Sequence, residues 1–128
     1  MKQNKLILAV NGTLMRGLEL ENNLKAVNAV FIKESQTEKA YRLYTIDDKY
    51  PAMVKDEGGS AIDVELYEIS EEGMKEVLSK EPEGLTIQEI TLIDGSKVQG
   101  VVGLSFIIKD RKEITQYGGW RNYLASKK

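Results

Sequence analysis

The sequence feature that constrains the fold most is an apolar segment, Leu-Ile-Leu-Ala-Val, at residues 6–10. A strand with one solvent-exposed face alternates apolar and polar residues, whereas a strand buried on both faces is apolar throughout. The segment therefore predicts a central strand that packs on both sides. Asn11 and Gly12 end it, because both residues tolerate the positive φ that a sharp turn needs.

Short strands and short helices follow this segment. Asp94-Gly95 separates two β-forming runs and is a strong hairpin signal. Gly100 and Gly103 in the second run suggest a bulge or a bend. Ser70 is expected to cap a helix that Pro82 prevents from continuing. Strands are predicted at 29–32, 41–46, 52–54, 62–66, 87–93 and 97–108, and further short helices after Leu20 and Gly119.

Two strands carry more specific expectations. Pro51 limits residues 52–54 to an edge strand or a short strand, because proline cannot donate to a ladder. In the 62–66 strand, apolar residues alternate with Asp63 and Glu65, which predicts that these two acids face water. The sum is an α+β domain whose mostly antiparallel strands curl into a small β-barrel with short flanking helices.

Composition limits the partners and the compartment. With 128 residues the chain fits one domain spanning 1–128, and its net charge of −2 gives no reason to expect nucleic acid or a membrane as a partner. Residues 1–5 are basic, but the apolar stretch after them is too short for a signal peptide, so we expect a soluble cytoplasmic protein.

Two absent residue types exclude whole classes of chemistry. The chain contains no cysteine and no histidine. Disulfides, thiolate nucleophiles, serine–histidine catalysis and the common zinc sites are therefore excluded, and we expect neither a metal nor a cofactor. Acid–base chemistry near neutral pH has to come from a carboxylate, a lysine or a tyrosine with a shifted pKa.

The loop at residues 11–17 is the first candidate site. A buried strand that ends in Asn11, Gly12 and Thr13 presents consecutive backbone N–H groups and a hydroxyl, which can hold a carboxylate or carbonyl oxygen. Arg16 could add positive charge. The alternative is an ordinary turn, for which Asn-Gly is also common.

The second candidate is the segment Glu81-Pro82-Glu83-Gly84. A carboxylate at a helix exit can be aimed into a cavity, where burial raises its pKa toward the range of a general base. The alternative is two surface acids among the twenty in the chain. A third segment, at residues 117–121, is interpreted as packing, with the single tryptophan anchoring the last helix.

These segments, in this order, resemble the gamma-glutamylcyclotransferase-like superfamily, and within it the C-terminal domain of allophanate hydrolase. The resemblance covers nearly the whole chain. It rests on residues 10–17 (VNGTLMRG), 40–44 (AYRLY), 58–67 (GGSAIDVELY), 94–100 (DGSKVQG) and 114–121 (ITQYGGWR).

The superfamily resemblance implies a small barrel whose cavity is capped by the first loop. In the cyclotransferases the backbone amides of this loop hold a γ-glutamyl group. The corresponding amides here are those from Asn11 to Leu14. A cavity glutamate takes a proton from the substrate amine, which then releases 5-oxoproline. The matching residue here is Glu83, or Glu81 if the register slips by two. Asn11 stands where the cyclotransferases have an aromatic residue.

The resemblance to allophanate hydrolase implies a different step, the decarboxylation of a carboxylated carbamate left by an amidase partner. A histidine of that domain corresponds to Asn22 here. Asparagine can hydrogen-bond a carboxylated substrate but cannot exchange a proton near neutral pH. Asn22 is therefore expected to bind a ligand rather than to transfer protons.

Three functions stay open at this point, and with them the question of whether the chain is an enzyme. It could be a cyclotransferase with Glu83 as base, an accessory domain of allophanate and urea degradation, or a non-catalytic binding module. All three predict a small-molecule ligand that carries a carboxylate or amide. An amidase partner, or a homodimer through the 97–108 hairpin, is a further expectation.

Overall fold

A computed structural model describes residues 5–127. The basic residues 1–4, on which part of the signal-peptide argument rests, lie outside the described part of the chain. The described residues form eight strands and three α-helices. In chain order these are β1 (Lys5–Val10), α1 (Glu21–Lys25), β2 (Val30–Gln36), β3 (Tyr41–Ile46), β4 (Tyr50–Lys55), β5 (Asp63–Ser70), α2 (Glu71–Ser79), β6 (Leu85–Thr91), β7 (Lys97–Gly103), β8 (Lys112–Glu113) and α3 (Trp120–Ser126).

The larger sheet has five strands in the order β2-β5-β1-β7-β6. β1 lies at its centre, antiparallel to β5 and parallel to β7. The central position is confirmed, but the strand is covered on both faces only at Leu8, Ala9 and Val10, which are completely buried, while Ile7 is 40% exposed. The loop after β1 therefore starts from the buried end of the central strand.

The smaller sheet has three strands in the order β4-β3-β8. β4 is an edge strand, as Pro51 predicted. It packs against β7 of the larger sheet at Gly103, where a Cβ atom would lie 2.8 Å from the Cβ of Ala52. Only a glycine allows the two strands to approach this closely at that point.

The predicted α+β class and the mostly antiparallel pairing are confirmed, but the strands do not close into a barrel. The two edges of the larger sheet, β2 and β6, meet at one isolated bridge between Thr37 and Leu92. β3 pairs with β4 and β8 rather than with β2. Within residues 5–127 the result is one curled open sheet with a second sheet beside it.

The strand predicted at 97–108 is shorter than expected. β7 ends at Gly103, where the backbone N–H of Leu104 donates to the carbonyl of Gly84 at 2.8 Å, and a 3₁₀ turn follows at Ser105–Ile107. The bend therefore falls at Gly103. Gly100 lies in a regular ladder with β6 and has the side chain of Ile90 over it.

The prediction that Glu65 faces water is wrong. β5 runs between β2 and β1, and residues 64–67 are buried on both faces. Glu65 is only 2% exposed. A buried charge needs partners, and these turn out to belong to the candidate site.

The helix predictions hold. The Ser70 side chain accepts a hydrogen bond from the backbone N–H of Gly73 at 2.9 Å, which is the expected N-cap of α2. Trp120 anchors α3 in the core with 2% of its surface exposed. None of the helices in residues 5–127 has the length and apolar character needed to cross a bilayer.

Candidate functional site

The loop after β1 presents unpaired backbone donors. The N–H of Met15 donates to the carbonyl of Gly12 at 2.9 Å, which closes a turn over Thr13 and Leu14. The N–H groups of Gly12, Thr13 and Leu14 donate to no other group in residues 5–127. Consecutive free amides of this kind form a concave site for an anionic or carbonyl oxygen.

The start of the loop is held rigidly. The side-chain amide of Asn11 is 4% exposed and donates to the carbonyl of Val101 at 2.8 Å. A Cβ atom on Gly12 would lie 2.5 Å from Cδ of Pro51, so the loop rests directly on β4. Asn11 therefore acts as a structural anchor, and Gly12 allows the close contact with Pro51.

A very small cavity lies under the loop. It holds about 10 Å³, roughly the space of one water molecule. The cavity can accept one oxygen-sized group but not a whole metabolite. Its lining includes the 11–14 loop, Tyr50 and Pro51 from β4, and Glu81 from the segment after α2.

A wider groove of about 420 Å³ adjoins this cavity through two shared residues, Thr13 and Tyr50. Lys49 and Pro82 also line the groove. Lys49 is exposed and forms no salt bridge within residues 5–127. Glu19 and Asp48 line the groove as well, so it combines space for a small molecule with charges of both signs, of which Lys49 supplies the positive one beside the loop.

Glu81, and not Glu83, is the carboxylate at the cavity. Burial raises the pKa of Glu81 from 4.5 to about 7, with no counter-charge to lower it. Its position follows from the helix end, where its backbone N–H donates to the carbonyl of Leu78 at 3.0 Å. Glu83 is exposed and lines neither the cavity nor the groove.

The far end of the loop is clamped by the buried carboxylate of Glu65. One oxygen accepts from the backbone N–H of Arg16 at 2.9 Å, and the other accepts from Arg121 on α3 at 2.9 Å. Arg121 also donates to the carbonyl of Arg16. Burial raises the pKa of Glu65, but the hydrogen bonds from Arg16 and Arg121 outweigh it and hold the pKa below its usual value.

The structure brings only part of the predicted set together. Asn11, Gly12, Thr13 and Leu14 line the small cavity. Arg16 instead forms salt bridges with Glu65 and, at 3.0 Å, with Glu34. Asn22 is exposed on α1 and lines neither the cavity nor the groove.

Several residues of the site were not found from the sequence. Tyr50 and Lys49 reach the loop only through the pairing of β3 with β4, and the partners of Glu65 are 49 and 56 residues away in sequence. Pro51 was a usable signal, because it marked β4 as an edge strand. In residues 5–127 no three acidic side chains lie together as metal ligands.

Comparison with known sequences identifies the domain family. Residues 6–125 match the family model described as the allophanate hydrolase C-terminal domain. Urea amidolyase of Lachancea kluyveri is 32% identical over 130 residues, which cover 95% of this chain. The chain spans only 7% of the length of that relative.

Solved structures of allophanate hydrolase and of a further protein are similar to this chain over nearly its whole length. A uropathogenic Escherichia coli-specific protein is 41% identical, with a TM-score of 0.93 over 95% of this chain and 97% of its own. Kluyveromyces lactis allophanate hydrolase is 26% identical, with a TM-score of 0.91 over 98% of this chain and 22% of its own.

A more distant structural neighbour supports the superfamily fold alone. A gamma-glutamyl cyclotransferase is 6% identical and has a TM-score of 0.54, over 86% of this chain and 70% of its own. The predicted resemblance in fold is therefore confirmed, while no chemistry follows from it. With nearly all of its length covered by the family model, the chain belongs to the allophanate hydrolase C-terminal domain family.

Proposed function

We propose that the domain binds a small metabolite that carries a carboxylate or an amide at the 11–14 loop. The observation that carries this proposal is that Glu81, whose carboxyl has no counter-charge, lines one cavity together with three residues whose backbone N–H groups are free. Such a combination of fixed donors and a perturbed acid is typical of ligand sites.

The cavity size suggests how the ligand would lie. One carboxylate or carbonyl oxygen enters the water-sized space under the loop and accepts from the N–H groups of Gly12, Thr13 and Leu14. The rest of the molecule occupies the outer groove, where Lys49 offers a positive charge for a second anionic group.

Glu81 gives this site a proton-transfer group. With a pKa of about 7, it exists in both forms near neutral pH, so it can donate to a bound oxygen or accept from a bound amine. A cyclotransferase reaction needs the second ability: Glu81 takes a proton from the α-amine, the amine attacks the γ-carbonyl, and the downstream amine leaves with a proton. The products are 5-oxoproline and the free amine.

A second candidate ligand is a carboxylated nitrogen compound. Relatives are named allophanate hydrolase and urea amidolyase, and this chain corresponds to a small part of each. Such a compound carries both a carboxylate for the loop amides and an amide for Glu81. Under this proposal an amidase is the partner that supplies the ligand, and Asn22 takes no part because it lies outside the groove.

Calorimetric titration with matched ligands tests the proposal. γ-Glutamylalanine represents the first ligand class, N-carbamoylglycine the second, and butylamine, which lacks both groups, is the negative control. We expect saturable binding of one acid and none of butylamine, and a loss of at least tenfold in affinity in Glu81→Gln but not in Glu83→Gln. Equal affinity of the two variants would contradict the role of Glu81. A separate assay for the release of 5-oxoproline from γ-glutamylalanine distinguishes catalysis from binding.

A further inference from the structure

A second cavity, also of about 420 Å³, lies against β2, β5 and α3. It shares no lining residue with the small cavity or the groove at the 11–14 loop. Its volume falls within the range of small-molecule sites. The function proposed above makes no use of it.

The floor of this second cavity is apolar. Met15, Val64 and Trp120 line it, and each is no more than 3% exposed. An apolar group that covered these side chains would lose contact with water, which is the main source of affinity in sites of this kind.

One wall carries an uncompensated negative charge. The carboxylates of Glu34 and Glu65 are each paired with an arginine, at 3.0 Å and 2.9 Å. Asp63 accepts a hydrogen bond from the neutral amide of Gln36 at 2.9 Å and has no salt bridge within residues 5–127. A positively charged group is the natural partner for Asp63.

The side of the cavity formed by α3 carries hydrogen-bond donors instead of acids. The indole N–H of Trp120 is buried and has no hydrogen-bond partner among residues 5–127. Arg121 lines the cavity beside it with its side chain partly exposed. The accessible donor on this side is therefore the guanidinium group of Arg121, which can donate to a ligand oxygen.

We propose that this cavity binds a small molecule in which an ammonium group lies beside a carbonyl, as in the amides of apolar α-amino acids. The ammonium group pairs with Asp63, the carbonyl oxygen accepts from Arg121, and the apolar side chain covers Met15 and Val64. This cavity shares no lining residue with the site at the 11–14 loop.

Three ligands of matched shape test the assignment. L-Leucinamide has all three groups, 3-methylbutylamine lacks the carbonyl, and 4-methylpentanamide lacks the ammonium group. Trp120 is the only tryptophan in the chain, so its fluorescence and its indole N–H resonance report on this cavity. We expect saturable binding of L-leucinamide at least tenfold tighter than of either partial ligand. Equal affinities, or no saturable change in the tryptophan signals, would overturn the proposal.

Two variants test the charged wall. Asp63→Asn is expected to weaken L-leucinamide binding at least tenfold and to leave 4-methylpentanamide unchanged, while Asp110→Asn, an exposed control of the same type, changes neither. Unchanged L-leucinamide binding in Asp63→Asn contradicts the assignment. If circular dichroism shows that Asp63→Asn is unfolded, the wild type decides: L-leucinamide that binds no more tightly than 4-methylpentanamide contradicts the role of Asp63.

Discussion

The carboxylate of Glu65 accepts a hydrogen bond from the backbone N–H of Arg16 at 2.9 Å. A buried acid in the middle of β5 thus holds the far end of the loop that follows β1. Asn11 holds the near end through the carbonyl of Val101. The free amides between these two anchors therefore have a fixed position, which a site for a single oxygen requires.

Glu65→Gln is expected to destabilise the domain. The substitution leaves the guanidinium groups of Arg16 and Arg121 without their buried counter-charge, and we expect a loss of about 2 kcal/mol in the free energy of unfolding. This is less than for a fully buried pair, because the two side chains are 42% and 44% exposed. Urea denaturation measures the change, with Glu68→Gln, an exposed acid on the same strand, as control.

The same variant has a defined pH dependence. The folded pKa of Glu65 lies below its ordinary value of 4.5, so its stabilising effect is complete above that value and is lost as the pH falls through the folded pKa. The stability difference between the wild type and Glu65→Gln should be constant near neutrality and shrink as the pH falls below 4.5. A difference that grew toward low pH would contradict the assignment.

The contribution of Glu81 to stability should depend on pH in the opposite direction. Its folded pKa of about 7 lies above 4.5, so its contribution is most favourable below pH 4.5 and is lost as the pH rises toward 7. Glu81→Gln is always neutral and should become more stable than the wild type above pH 7, by no more than roughly 3 kcal/mol. Unfolding curves from pH 4 to 8.5 measure this, and Glu83→Gln controls for the loss of one negative charge. A pH-independent difference between Glu81→Gln and the wild type would contradict the burial of this carboxyl.

Gly12→Ala tests the contact between the loop and β4. The added methyl group meets Pro51 at 2.5 Å, so the loop has to move, and we expect a loss of about 1–3 kcal/mol in stability together with weaker ligand binding. Gly58→Ala is the control, because its nearest neighbour is the end of a flexible arginine side chain at 3.4 Å. Equal stability of the two variants would show that the loop is not seated on Pro51.

Asn11→Asp tests the buried anchor. A carboxylate cannot donate to the carbonyl of Val101, so the variant loses a buried hydrogen bond and gains a buried charge, and we expect a loss of at least about 2 kcal/mol. The same change at exposed Asn22 should stay within about 0.5 kcal/mol. Thermal unfolding compares the pair, and similar losses at both positions would contradict the anchoring role.

Sequence patterns correctly predicted the elements that depend on interactions between residues close in sequence. The apolar run at 6–10 gave the central strand, Ser70 gave the start of α2, and Pro51 gave the edge position of β4. Each of these depends on residues that are neighbours in sequence. The position of the 11–14 loop at the end of the central strand followed from them.

Features that depend on distant residues were missed. Alternation in β5 placed Glu65 in solvent, because nothing near it in sequence reveals Arg16 or Arg121. The strands do not close into a barrel because the two edges of the larger sheet, β2 and β6, meet only at one isolated bridge. The choice between Glu81 and Glu83 depended on how the chain leaves α2, a detail that the proline and glycine in this segment do not determine.

The central claim is that the amides of the 11–14 loop hold an oxygen of a small acid or amide. The most direct measurement is a nuclear magnetic resonance titration that follows the backbone amides of Gly12, Thr13 and Leu14 as N-carbamoylglycine or γ-glutamylalanine is added. We predict saturable chemical-shift changes at these three amides. The affinity obtained from them should be at least tenfold lower in Glu81→Gln. Binding that shifts other parts of the domain while these amides stay unchanged would contradict the account.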